Sequence, residues 1–251
     1  MRGFSSEMWG EAVAPWYDFR IGEHDTAAEV EFLAARLPDG LVAEIGVGTG
    51  RIAVPLAAAT SARLIGIDVS PAMLDVLAKR AGSSIDRMVC DVTRSLPDIS
   101  LTGSYCVLNT LLMLGDHDAQ RRAVTQVRQC MVPGAPFIVQ TVVPTTSFFT
   151  TPSFSIQPLR MDAGSVEMQV TRVSPEMRLV EAQDVRITNS GTQLMPCEFH
   201  FWELDDLDEM FADCGFTLAE RYADWGGQPL TKESTNAVSV YRASYASAPF
   251  A

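Results

Sequence analysis

The sequence predicts an α/β fold: a doubly wound, mostly parallel sheet of seven strands covered by helices, with a three-stranded antiparallel insertion. Three observations carry this. Apolar runs of strand length alternate with helix-length amphipathic segments through residues 41–143, the rhythm of a parallel sheet covered on both faces. Three consecutive strand-like segments then break that rhythm, and it resumes after residue 203. The stretch VAEIGVGTGRIAVPLA (42–57) sets three glycines in five positions between the first strand and its helix, the place where open α/β sheets form a crevice.

Taken in order, EMWGEAVAPWYDFRIG and the helix-like TAAEVEFLAARL (26–37) form an N-terminal helical cap over residues 1–40. LVAEIG (41–46) reads as a buried strand. RIAVPLAAA (51–59) reads as a helix that tolerates Pro55 because its first turn has no amide partner to lose. ARLIGIDVS (62–70) is a second strand, and Ser70-Pro71 opens the helix AMLDVLAKRA with a capping hydroxyl and a first-position proline. IDRMVCDV (85–92) and SYCVLNTLL (104–112) are further strands, DAQRRAVTQVRQCMV (118–132) is a helix, and APFIVQTVV (135–143) is a fifth strand. Residues 41–144 thus form a Rossmann-like core.

Residues 145–202 form the insertion. PTTSFFTTPSFSIQP is expected to be a loop holding Phe148, Phe149 and Phe154, followed by strands at 166–174, 177–189 and 193–204. Residues 203–251 complete the core sheet with the amphipathic helix ELDDLDEMFADCGF, the strand TLAERYAD, a final strand at 236–243 and a frayed tail.

A chain of 251 residues with 47% hydrophobic and 20% charged content can bury a full core. It contains no apolar run long enough to cross a membrane. The start of the chain shows no targeting segment, so the expected location is cytoplasmic. A net charge of −12 repels phosphate backbones and anionic lipid, which disfavours nucleic acid and membrane as partners. The five cysteines are scattered in apolar settings without a C-x-x-C pair and read as reduced thiols.

The glycines Gly46, Gly48 and Gly50 depart from the dinucleotide spacing, which wants a glycine where Arg51 stands. Glu44 would also place negative charge near a pyrophosphate. A cationic ligand without phosphate tolerates that carboxylate better, and S-adenosylmethionine carries an ammonium, a sulfonium and a ribose. Asp68 closes the second strand and can accept from both ribose hydroxyls, or cap the next helix. Asp91 closes the third strand, where it could meet the adenine amine beside Val92.

With EIGVGTGR, GIDVSPAMLDVLAKR, CDV, YCVLNTLLML, VPGAPFIV and ELDDLDEMFADCGF in place, the chain resembles class I S-adenosylmethionine-dependent methyltransferases from about Tyr17 to Arg242. An early Tyr-Asp pair and a β insertion before the late helix are similar to the small-molecule branch that includes sugar-amine and glycine N-methyltransferases. The resemblance implies that Glu44 and the glycines line the methionine portion and that Asp68 binds ribose. It also implies that Met73 packs on adenine, that Asp91 and Val92 hold the adenine edge, and that Asn109 lies beside the methionine portion. Tyr17 looks like the tyrosine that closes over the cofactor, and Arg51 and Val69 belong to the same expected cofactor surface. The fourth strand lacks the Asn-Pro-Pro-Tyr or Asp-Pro-Pro-Tyr motif of DNA and protein-glutamine methyltransferases. No metal site of the catechol O-methyltransferase kind is evident, and Gly-Asp-His-Asp (115–118) reads as a loop and helix cap.

Methyl transfer from a sulfonium is an in-line displacement dominated by positioning. A neutral amine needs no base, whereas a hydroxyl or acidic carbon does. His117 and His200 are the candidate bases, Tyr17 is a third catalytic candidate, and His24 is a weaker one. In CEFHFW, alternation sets Phe199 and Phe201 on a packed face and Glu198, His200 and Trp202 on a face turned to ligand. Phe148, Phe149, Phe154, Trp202 and Trp225 are expected to give an aromatic pocket. The reading is methyl transfer to an amine of a small natural-product-like acceptor, with S-adenosylhomocysteine as product and a monomer or homodimer as the assembly. O- or C-methylation is the alternative; an NAD-dependent oxidoreductase and a non-catalytic adenosylmethionine-binding protein are more remote.

Overall fold

The computed structural model describes residues 6–14, 17–18, 25–144 and 153–245. Two short helices, α1 (Ser6–Val13) and α2 (Ala27–Ala34), precede the core. There follow β1 (Leu41–Ile45), α3 (Ala53–Ala59), β2 (Arg63–Asp68), α4 (Pro71–Ala81), β3 (Ile85–Val89) and β4 (Gly103–Cys106). After these come α5 (His117–Cys130), β5 (Pro136–Val142), the strands β6 (Ser153–Met161), β7 (Ser165–Ser174), β8 (Leu179–Thr188) and β9 (Gly191–His200), and then α6 (Leu204–Asp213), β10 (Phe216–Tyr222) and β11 (Asn236–Ala243). Among the described residues no helix is long and apolar enough to cross a membrane.

The seven-stranded sheet runs β10-β11-β5-β4-β1-β2-β3, with β11 antiparallel to both neighbours. The order reverses between β1 and β4, and such a switch point leaves a crevice at the strands' carboxyl ends. One face is packed by α5 and α6 through Val124, Val127, Met210 and Phe211; the other is packed by α2, α3 and α4 through Leu33, Leu56 and Leu77. These side chains are almost wholly buried, consistent with strands that read as apolar runs.

Two elements differ from expectation. The strand expected at 104–112 stops at Cys106, because Leu108 and Asn109 adopt positive φ (52° and 63°) and Thr110–Met113 coil into a 3₁₀ turn. The insertion has four strands, not three, in the order β6-β7-β8-β9. The added strand, β6, arises from the Ser/Thr/Pro stretch expected as a loop. It is an edge strand exposed along its whole length, and a register irregularity between Pro158 and Arg160 accommodates the proline.

Candidate active site

The glycine turn lies at the switch point, and its glycines serve different ends. A Cβ on Gly46 would stand 2.2 Å from the Thr110 methyl, so the turn after β4 presses directly on it; a Cβ on Gly50 would strike Leu77 of α4 at 2.3 Å. Gly48 is different: φ is +55° and a Cβ there would meet nothing within 4 Å. What favours glycine at Gly48 is therefore its left-handed backbone rather than packing, and the space beside it is open.

The acids of the site are held in distinct ways. Asp68 accepts the Gly48 amide on one oxygen and the Ser70 amide on the other, both at 2.9 Å. That leaves lone pairs for two hydroxyls. Burial raises its pKa against the pull of these amides. Glu44 is buried on β1, where it accepts from the Tyr105 hydroxyl at 2.9 Å. Burial pushes its carboxyl up to about 8, opposed by Tyr105, Arg51 and the Ala53 amide. Burial, then the neighbouring Glu44, holds the Tyr105 phenol well above its usual range, so it remains a donor. Asp91 lies just beyond β3 and accepts from the Thr93 amide (3.0 Å) and hydroxyl (2.7 Å), with Arg94 at 3.1 Å. Val69 beside Asp68 is partly exposed, whereas Val92 is buried in the core.

The strained turn after β4 is pinned from both sides. The Leu108 amide donates to the Gln140 side chain at 2.9 Å, and the Asn109 side chain accepts the Val142 amide at 2.7 Å. Consecutive non-glycine residues in the left-handed region carry a conformational cost and persist where the surroundings hold them. Here that place is the rim of the crevice.

The cap joins the site through contacts that the sequence does not announce. Asp18 accepts from the buried Thr49 hydroxyl at 2.7 Å and pairs with Arg80 of α4 at 2.6 Å. Tyr17 packs beside Met73, Val13, Ala14 and Met195, so Met73 is enclosed by cap and insertion. Gly10 of α1 lies flat on Ser70, where a Cβ would come to 2.3 Å. Arg51 turns to α2 and pairs with Glu29 at 3.1 Å, tying the cap to the glycine turn.

The insertion roofs the crevice with the face that carries Met195, Phe199 and Phe201. Met195 joins Met73, Val13 and Ala14 in one apolar cluster, while Phe199 and Phe201 pack in another with Leu112 and Val142. By register the same inner face bears Gln169 against Asp184 (2.8 Å) and Arg186 against Glu167 (3.2 Å), with Asp184 and Glu167 buried.

The structure brings His117 and His200 together at the root of the insertion. The His117 Nε2 lies 2.9 Å from the Phe201 carbonyl, its ring packs on Trp202 at 4.2 Å, and the His200 ring is 6.2 Å away. Burial, then the neighbouring His117, lowers the His200 pKa and keeps its ring neutral near pH 7. His200 belongs to the face opposite Met195 and Phe199, so the expectation that its face turns to ligand gives way to a roof formed by the other face. A residue the sequence reading passed over organises this root. Buried Gln120 donates to the carbonyls of Gly115 (3.0 Å) and His200 (3.1 Å) and accepts from the Trp202 indole.

The aromatic pocket is likewise corrected. Phe154 is 69% exposed on the outer side of β6, Trp202 is committed to Gln120, and Trp225 packs edge-on against Phe32 of α2 at 5.4 Å. Phe148, Phe149 and His24 lie outside the described residues. Asp116 caps α5 by accepting the Ala119 amide at 2.9 Å, which fulfils the cap reading of Gly-Asp-His-Asp. All five cysteines are unbridged.

Residues 42–134 match a family model described as a methyltransferase domain. Over 96% of this chain and 100% of the other, the fold is similar to the CcbJ methyltransferase from Streptomyces caelestis, at 26% identity and a TM-score of 0.87. It is also similar to S-adenosylmethionine-bound CalS10, an amino pentose methyltransferase from Micromonospora echinaspora involved in calicheamicin biosynthesis. That match has 17% identity, a TM-score of 0.63, and covers 96% of this chain and 93% of the other. A third similar structure is the sugar N-methyltransferase KedS8 from Streptoalloteichus sp., with 18% identity, a TM-score of 0.65 and coverage of 89% and 91%. No curated protein matches the sequence. The residues present fit the cofactor of these folds: Gly48 leaves an unfilled cradle, and Asp68 keeps acceptor capacity beside it. The chain carries a methyltransferase domain over residues 42–134, at the switch point of its sheet, and its fold as a whole is that of a methyltransferase.

Proposed function

We propose that this enzyme methylates an amine nitrogen of a small, natural-product-like acceptor. The observation that carries the reading is the pairing of an acid-bearing roof with histidines committed elsewhere. The inner face of the insertion presents Asp184 with Gln169 and Glu167 with Arg186, while His117 and His200 are gathered at its root. A basic acceptor suits such a roof electrostatically, and a neutral amine needs no general base to attack. The similarity to an amino pentose methyltransferase and a sugar N-methyltransferase supports the same choice.

S-adenosylmethionine, when bound, supplies an electrophilic methyl group on a sulfonium. The chain's own residues would do the rest by positioning. Gly48 admits the ligand close to backbone, Asp68 receives the ribose hydroxyls, and Glu44 with Gly46 faces the amino-acid portion from beneath. Asp91 and Val92 border the base, Met73 of α4 and Tyr17 of the cap cover it, and Asn109 fixes the rim beside the reacting group. Arg51 and Val69 support this surface, Arg51 through Glu29.

The test is release of S-adenosylhomocysteine with a panel of primary and secondary amines, amino sugars included, beside the matching alcohols. Turnover confined to amines is expected, and faster turnover of the alcohols would overturn the choice of nitrogen. His200→Gln should leave amine turnover within a few-fold of wild type. A loss of about a hundredfold, the scale of general-base removal, would instead make His200 a base and favour oxygen.

A further inference from the structure

Glu44 is a carboxyl that the fold buries without a full counter-charge. It is 3% exposed near the end of β1, just ahead of the glycine turn. The titratable and charged groups around it are Tyr105 and Cys106 of β4, Asp68 of β2 and Arg51 of the turn. Among these Arg51 is the cation, and its guanidinium is already paired with Glu29 at 3.1 Å. Asp68 repels a second negative charge, and the Cys106 thiol, pushed up by burial and then by Glu44, stays neutral. What the fold does supply is a neutral donor, the wholly buried Tyr105 hydroxyl, 2.9 Å from one carboxyl oxygen. A carboxylate in such a setting takes up a proton rather than stay ionised without a partner. The carboxyl is accordingly pushed up to about 8.

We propose that Tyr105 is a positioning residue for cofactor binding, holding Glu44 so that a cationic ligand in the glycine turn displaces the Glu44 proton to solvent. The inference rests on the reading that the methionine portion of the cofactor lies over Glu44 and Gly46. The ammonium of that portion brings the positive charge that the fold withholds, and a nearby cation favours the ionised form of a carboxyl. Tyr105 acts in the same direction, because a hydroxyl donates more strongly to a carboxylate than to a neutral acid. Strand register fixes the pair, since Tyr105 lies opposite Glu44 on β4. The exchange balances: a neutral acid and an ammonium ligand become a carboxylate–ammonium pair and one proton in solution. Because binding releases a proton, affinity rises with pH until the carboxyl is ionised before the ligand arrives.

Calorimetric titration of the full chain with S-adenosylhomocysteine at pH 7, in phosphate and again in Tris, counts the proton from the difference in heat between buffers of low and high ionisation enthalpy. With the carboxyl at about 8, roughly 0.9 proton should leave per ligand bound. 5′-Methylthioadenosine keeps the adenosine and the thioether but lacks the ammonium, and it should bind without that release. Both ligands present the same ribose, so the difference between them separates Glu44 from Asp68. Glu44→Gln should abolish the release. Tyr105→Phe should weaken adenosylhomocysteine about tenfold at pH 7 and carry the rise in affinity to higher pH, while 5′-methylthioadenosine stays within about twofold of wild type. Unchanged adenosylhomocysteine affinity in Tyr105→Phe, or a loss shared equally by both nucleosides, would overturn the positioning role. Adenosylhomocysteine binding with equal heats in the two buffers would overturn the inference and leave the cofactor reading standing. Failure of both nucleosides to bind would overturn the cofactor reading and the inference together.

Discussion

Glu44→Gln should flatten the dependence of folding stability on pH. The carboxyl sits at about 8 in the fold against an ordinary 4.5. At about 1.4 kcal/mol per tenfold step in acidity, full ionisation of the buried group costs the native state roughly 5 kcal/mol. Because the folded value is the higher one, the stabilising effect of the protonated form is complete below the unfolded pKa and is lost as pH rises to about 8. Between about pH 5.5 and pH 8.5 this one residue should remove about 3 kcal/mol of stability from wild type. Glutamine keeps an acceptor for the Tyr105 hydroxyl and cannot ionise, so the wild-type-minus-variant difference should shrink by that amount across the interval. Urea unfolding at several pH values, with constant m as a check on two-state behaviour, measures it. Parallel curves for the two proteins would refute the assignment of a buried, proton-bearing carboxyl.

Asp68→Ala should weaken adenosylmethionine binding by roughly 1 to 3 kcal/mol, the cost of leaving ribose hydroxyls unpaired, as read by calorimetry. Gly48→Ala should leave the core intact, since its Cβ meets nothing, while calorimetry shows lost cofactor affinity. Gly46→Ala should lower stability by about 2 kcal/mol or more through its collision with Thr110, visible as a fall in urea midpoint. Gln120→Ala strands the carbonyls of Leu112, Gly115 and His200 and the Trp202 indole. It should cost about 2 to 4 kcal/mol, seen as a lower thermal midpoint.

The core was legible because its central strands are buried on both faces, so a run such as LVAEI or RLIGID can be recognised without knowing its neighbours. The strand β6 escaped because an exposed edge needs no apolar run. The alternation in SFSIQ was a usable signal, masked by the surrounding serines, threonines and prolines. The facing of the insertion was illegible for a different reason. Alternation sorted Phe199 from His200 correctly, but which side looks inward depends on the clusters that Met195 shares with Val13 and Met73, and Phe201 with Leu112, across long gaps in sequence. Tyr105, Thr49 and Gln120 were missed likewise. Each is ordinary in its own segment, and only register or tertiary contact sets Tyr105 beside Glu44, Thr49 beside Asp18, and Gln120 beside the carbonyl of His200.

The anchoring of the cap bears on how the polypeptide matures during synthesis. Gly10, Val13, Ala14 and Asp18 leave the ribosome before the surfaces that receive them are made: Thr49 and Arg80 for Asp18, Ser70 for Gly10, and finally Met195 for Val13 and Ala14. Val13 and Ala14 must therefore wait uncovered until residue 195 has been added, and at about 5 to 20 residues per second that wait lasts on the order of ten seconds or more. Nascent chains stalled before residue 195 should be the ones that molecular chaperones hold.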